Sequence, residues 1–335
     1  MTIFWTPRAG LVSLMLCTAA LITALPSAQA ETAAPPSCSV ELVVLGAGQD
    51  AGAPQIGYAA DPAWQDPQQR LTGSALALIE TGTGHRYLFD ASPHLGDQLA
   101  RLDRLDPSPS PTPRPNLGLS GIFLTHAHIG HYAGLMWLGR EAAGTAGIPV
   151  HAMPRLQRFL ETNGPWDQLV RLGNIRLVAL SDRTPMRPSP QFSVTPYRVP
   201  HRDEYSETVG FLIETPQKRA LYLPDIDSWT DWARDFDTRL EDLLPDLDLA
   251  FLDATFFDDD ELPGRDMSLI PHPRVSDTMD LLQALPASVR QRVQFIHYNH
   301  TNPIRWPESD ATRQVYERGY KVARAGDRHC LFEGN

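Results

Sequence analysis

The sequence predicts an α/β fold, two β-sheets packed face to face with helices outside, built as one domain over residues 38–335. Three observations predict it. Short runs rich in β-branched and apolar residues, most of them ending near glycine or aspartate, recur along the chain and read as strands. Two pairs of these runs lie close enough to form hairpins, one early and one beyond the middle. Between and after the hairpins, strand runs alternate with helical apolar spacing, and about 300 residues suffice for one large core.

The first thirty residues read as an export signal. Arg8 is followed by an apolar run from Ala9 to about Leu25, and Ala28-Gln29-Ala30 is an A-x-A-like cleavage site. The run falls short of the roughly 20 apolar residues a spanning helix needs. Leu16, ahead of Cys17, is too large for a lipoprotein site. Cleavage near Ala30 and a periplasmic or secreted location are expected, with no stable membrane anchor afterwards and residues 31–37 as a tether.

Residues 39–45 alternate in the manner of a strand that stops at Gly46-Ala47-Gly48. From Asp50 to Leu71 the chain reads as a long surface loop, a length that usually marks function or mobility. Residues 74–80 and 85–89 flank Thr81-Gly82-Thr83-Gly84, a hairpin signal; Asp90 follows, and 95–105 have helical spacing. The proline-rich stretch 106–116 must be extended. It is not a domain boundary, because the strands before it cannot bury two faces alone. The next strand, 121–124, feeds the histidine motif described below. Alternation continues to Val199, and a second hairpin joins 210–214 to 220–223. Residues 249–252, 293–296 and 320–323 are buried strands, and 276–285 a helix.

The net charge is −11, and without the +1 of Arg8 in the signal it becomes −12. An acidic chain disfavours nucleic-acid backbones and anionic membrane surfaces, so a small molecule is the expected partner. Cys17 leaves with the signal; Cys38 and Cys330 remain near the two ends. Export permits oxidation, and a disulfide tying the first strand to the last is expected. It would contribute on the order of 4–5 kcal/mol by closing so long a loop. Two unpaired thiols are the alternative.

The sharpest chemical signal is Thr125-His126-Ala127-His128-Ile129-Gly130-His131, which places three of eleven histidines within six residues after a buried strand. Imidazoles at i and i+2 of an extended turn can face one point, and a third at i+5 returns as a helix starts. Neutral imidazole suits Zn2+ and Fe2+ equally. His201, Asp225, His297 and His300 each close or follow an apolar run, where sheet ends converge on one cleft. Asp225 could bridge or ligate a metal there. Residues 258–261, three aspartates and a glutamate, lack EF-hand spacing and read as a solvated loop. Trp229 and Trp232, at helical spacing, read as packing residues.

His126-x-His128-x-Gly130-His131, followed in order by His201, Asp225 and His297, resembles the HxHxDH ligand series of the metallo-β-lactamase superfamily across roughly residues 39–334. The resemblance implies a metallo-β-lactamase-type αβ/βα four-layer sandwich. It also implies that His126, His128 and His201 hold a first metal, that Asp225 bridges, and that His131 and His297 hold a second. Asp90 matches the structural aspartate after the early hairpin. Longer blocks are similar to the coenzyme PQQ synthesis protein B family: Phe89-Asp90-Ala91-Ser92-Pro93, Leu138-Gly139-Arg140-Glu141, Asp253-Ala254-Thr255-Phe256-Phe257 and Thr301-Asn302-Pro303. Pro271-His272-Pro273 resembles a phosphodiesterase loop, which makes His272 either a proton donor to a leaving group or a plain loop histidine.

Two departures matter. Gly130 stands where the superfamily carries an aspartate, so the second site is a ligand short; one tight Zn2+ and at most a weak second are expected. The early cysteine cluster of the PQQ proteins is absent around Gln55-Ile56-Gly57-Tyr58, and those proteins are cytoplasmic. The leading functional reading is metal-dependent hydrolysis of a small ester, amide, lactone or phosphodiester. Asp225 would accept a proton, and His272 or His300 would protonate the leaving group. An Fe2+-dependent oxygenase and a non-catalytic periplasmic binding or carrier protein are the alternatives.

Overall fold

The computed structural model describes Met1, Thr2, residues 37–107 and residues 115–334. Nearly all of the expected export signal and tether lie outside the described residues, as does most of the proline-rich stretch. Every described residue from 37 onward belongs to one compact unit. No helix among the described residues is long and apolar enough to cross a membrane.

Fourteen strands among the described residues form two seven-stranded sheets. In the first half of the chain these are β1 (Cys38–Gly46), β2 (Ala75–Glu80), β3 (His85–Phe89), β4 (Gly121–Phe123), β5 (Ile148–Ala152) and β6 (Ile175–Ala179). Then come β7 (Met186–Ser189), β8 (Phe192–Arg198), β9 (Val209–Glu214), β10 (Arg219–Leu223), β11 (Leu249–Asp253), β12 (Val293–Ile296), β13 (Lys321–Val322) and β14 (Arg328–Glu333). The first sheet has the order β14-β1-β2-β3-β4-β5-β6, antiparallel as far as β3 and parallel beyond it. The second has the order β13-β12-β11-β10-β9-β8-β7, parallel from β13 to β10 and antiparallel from there.

Strand periodicity builds the layers. In β1, Leu42 and Val44 enter the core between the sheets with Phe89, Phe123, Phe211 and Tyr222. Val43 and Leu45 turn the other way, onto the cluster that holds Leu95 and Leu102 of helix α1 (Leu95–Leu105) and Leu156 and Leu160 of a later helix. Successive side chains face opposite sides of a strand, so a sheet apolar on both faces demands cover on both. The layered α/β sandwich expected from the sequence follows. Burying each large side chain contributes about 1.5–3 kcal/mol.

Cys38 and Cys330 are bonded, with Cα atoms 5.6 Å apart, and join β1 to β14. The stretch 50–71 is largely exposed, as expected of a surface loop, and is anchored to the body at a few buried points. Asp61 and Arg305 form a buried ion pair at 2.8 Å, and Gly52, Ala53 and Ala63 are buried. Arg305 needs a carboxylate once it is out of water, and the loop supplies it. Glu261 likewise turns inward, accepting from Thr301 Oγ1 at 2.9 Å and from the Phe257 amide, so the acidic run is not wholly solvated. Burial pushes its pKa up to about 7. Trp232 packs in the core, as its spacing predicts.

Candidate metal centre

The strand ends collect the chemistry. His126 and His128 lie on the turn after β4, and His131 sits in the short helix α2 (Ile129–Tyr132). His201 follows β8, Asp225 follows β10, Asp253 ends β11 and His297 directly follows β12. Parallel strands present their carboxyl ends to one crevice, so residues remote in sequence meet there.

Two overlapping groups of ligand atoms result. His126 Nε2 lies 2.9 Å from His128 Nδ1, which lies 3.0 Å from His201 Nε2. Asp225 stands between this trio and a second group. Its Oδ2 is 3.7 Å from His126 Nε2, 2.8 Å from His131 Nε2 and 3.3 Å from His297 Nε2, and its Oδ1 is 3.8 Å from His201 Nε2. His272 Nδ1 lies 3.9 Å from Asp225 Oδ1 and 2.7 Å from Asp253 Oδ2.

The far nitrogens are held in place. His126 Nδ1 meets Thr125 Oγ1 at 2.9 Å, His128 Nε2 meets Glu204 at 3.1 Å, and His201 Nδ1 meets Asp227 at 2.7 Å. His131 Nδ1 meets Asp90 at 2.8 Å, and His297 Nδ1 meets Thr255 Oγ1 at 3.1 Å. Such contacts fix ring orientation and leave the other nitrogen free to ligate. Asp90 also accepts from the Thr125 amide and the Tyr222 hydroxyl, tying both sheets to the motif.

Electrostatics agree with the geometry. Burial, reinforced by His131, drives the His126 pKa well below 6.5; burial also lowers His128 and His297. Burial would raise Asp225, but the imidazoles of His297, His131 and His201 hold it well below 3.8. Burial opposes charge on His131, yet Asp90 and Asp225 raise its pKa well above 6.5.

The donor set fits a metal ion. His131 Nε2, Asp225 Oδ2 and His297 Nε2 are buried without an aligned hydrogen bond, although they face one another. Buried polar atoms with no partner are costly. Imidazole with carboxylate is the ligand chemistry of Zn2+ and of Fe2+. The residues of the trio lie within 4.8 Å of one another through their ligand atoms, as do those of three further groups: His126, His131 and Asp225; Asp225, Asp253 and His272; and Asp50, His131 and His297.

The structure thus brings together His126, His128, His131, His201, Asp225, His272 and His297. His300 joins none of the groups; its ring faces Asn299 Oδ1 at 2.7 Å and Tyr58. Sequence reasoning missed Asp50, Asp227 and Asp253. The strand-end signal that found Asp225 also marks Asp253, whereas nothing local marks Asp50. A cavity of about 520 Å³ lies elsewhere, lined by Lys218, Arg292, Lys321 and Arg328 among others, and contains none of the clustered residues.

A two-sheet sandwich with this histidine and aspartate centre defines a metallo-β-lactamase-type protein. The family described as Beta-lactamase superfamily domain matches residues 85–298, and the chain belongs to it. Within that family the chain is PQQ-protein-B-like: it is 26% identical over 312 residues to coenzyme PQQ synthesis protein B of Methylobacterium sp. (strain 4-46), covering 86% of this chain and 98% of that one. Zn(2+)-bound PqqB from Methylobacterium extorquens superposes with a TM-score of 0.70 at 22% identity, covering 86% of this chain and 99% of the other. A diphosphatase of the PhnP family gives 0.59 at 21% identity, with 87% and 96% covered. These two likenesses show the shared fold.

Proposed function

We propose that this protein is an exported metal-dependent hydrolase of a small ester, amide, lactone or phosphodiester. The convergence of the His126, His128 and His201 ligand nitrogens beside the carboxylate of Asp225 carries the reading. A divalent ion held by those four residues would supply Lewis acidity and a water acidic near neutral pH. Thr125, Glu204 and Asp227 keep the imidazoles turned inward. Asp225, central among the imidazoles, would orient the attacking water by accepting its hydrogen bond. His272 is the proton donor to the leaving group. Burial resists its charge, but Asp253, with Asp225 and Asp227 beyond, raises its pKa above 6.5.

Protein recovered from outside the cytoplasm should begin at Glu31 and carry zinc by elemental analysis. His126→Ala should lose both the metal and turnover across an ester, lactone and phosphodiester panel. Fully metallated wild type that turns over nothing on that panel sinks the reading. Iron with substrate-linked O2 uptake would replace it by the oxygenase, and tight ligand binding without turnover by the carrier. His272→Asn should slow substrates with poor leaving groups by about 10²–10⁴-fold while sparing p-nitrophenyl esters. An equal loss on both substrate types would remove His272 from the role.

A further inference from the structure

Gly130 leaves the motif without its own carboxylate, yet the space a side chain would take there is not vacant. A Cβ built on Gly130 would overlap Asp50 Oδ1 and lie 2.6 Å from Asp50 Cα and 3.1 Å from its Cγ. Asp50 comes from the segment after β1, eighty positions upstream. Backbone bonds hold that segment in place: Gly48 N donates to Thr72 O, Gln49 N to Tyr298 O, and Tyr298 N to Ala47 O, at 2.9, 2.9 and 3.1 Å. The clamp sets Asp50 beside His297, the neighbour of Tyr298. Asp50 takes a left-handed φ of 41°, a conformation that aspartate adopts more readily than most residues.

A carboxylate oxygen of Asp50 and one nitrogen each of His131 and His297 lie within 4.8 Å of one another. Both of those histidines are 1% exposed, and the Nε2 of each lacks a hydrogen-bond partner. Asp225 Oδ2, also unpartnered, faces both nitrogens. We infer that Asp50 is a ligand of a second metal ion, completing a site with His131, His297 and Asp225 and replacing in space the carboxylate absent from position 130. The inference rests on the metal-centre reading above and deepens it. Because a Cβ at position 130 would collide with Asp50, the structure has room for one of these side chains and not both.

Metal stoichiometry tests this without any assay of activity. Metal-free protein is titrated with Zn2+ by calorimetry, and with Co2+ by its visible absorption, for wild type and variants whose folding is checked by circular dichroism. Wild type should bind two equivalents. Asp50→Gly and the isosteric Asp50→Asn should keep the first and weaken the second by more than about 100-fold, since a lost ligand costs more than a lost orienting partner. Gly130→Asp alone should also lose the second, through collision with Asp50. Two undiminished equivalents in Asp50→Asn would overturn the inference, as would one equivalent in wild type and variants alike. Wild type that binds no ion at all would instead overturn the metal-centre reading itself.

Discussion

Among the described residues, six that are not glycine adopt left-handed backbone angles, and Asp50, Asp90 and His297 of the centre are three of them, at φ 41°, 66° and 66°. Bulky residues are held so only where their surroundings over-determine them, and such strain gathers at functional sites. No sequence pattern announces it. The histidine motif was legible because three ligands within six residues are a local signal; Asp50 was not, since only the folded loop sets it against Gly130. Another buried histidine offers a prediction apart from the metal. His151 stacks on Phe123 with ring centres 4.4 Å apart, and its Nδ1 has no partner. Burial, with Arg176 adding, lowers its pKa to about 4 from 6.5. The folded protein therefore keeps this ring neutral while the unfolded chain takes up a proton. Its contribution to stability is complete above about pH 6.5 and is lost as the pH falls toward 4, a loss of about 3 kcal/mol. Urea unfolding at pH 7 and pH 4 should show His151→Phe losing less stability on acidification than wild type. Equal losses would remove His151 from the acid response.

Elements were most readable where both local pattern and turn chemistry spoke. The hairpin of β2 and β3 around Thr81-Gly82-Thr83-Gly84 matches its expected extent except that β2 starts at Ala75 rather than Ser74, with Gly82 and Gly84 both at positive φ. Its counterpart, β9 with β10, differs by a residue at the front of each strand. The loop from 50 to 71 is largely exposed, as its polar composition predicts, while the burial of Asp61 within it depends on Arg305, more than two hundred positions away. The cysteines were readable for a simpler reason, that only two lie beyond the first thirty residues. Their bond closes a separation of 292 residues between β1 and β14, edge partner and edge of the first sheet. Cross-linking acts chiefly on the unfolded chain, so Cys330→Ser should lower unfolding free energy by on the order of 4–5 kcal/mol while β14 keeps its ladder to β1. Chemical denaturation of the variant beside wild type measures this. A loss under about 1 kcal/mol would show that the unfolded chain stays compact without the bond.

At the scale of the whole molecule, the fold class followed from alternation of strand and helix, but the way the sheets are joined did not. The first sheet supplies His126, His128 and His131 from the end of β4, and the second supplies His201, Asp225 and His297 from β8, β10 and β12. An ion shared by these side chains would therefore cross-link the two halves of the sandwich as well as serve chemistry. Without one, the imidazoles and Asp225 stay crowded, with buried atoms unpaired, at the seam between the sheets. Binding to the folded chain alone stabilises it by RT ln(1 + [L]/Kd), about 4 kcal/mol at a thousandfold excess over Kd. For a domain of this size that raises Tm by roughly 6 °C. Scanning calorimetry of chelator-treated protein against added Zn2+ should show Tm climbing with the logarithm of free metal, and His201→Ala should flatten the slope. The same titration on Cys330→Ser should keep its slope, because the disulfide ties strands of one sheet while the ion spans both. If Tm ignored the metal in wild type, the two sheets would owe their association to the apolar core alone, and the ligands would be held in place before any ion arrives.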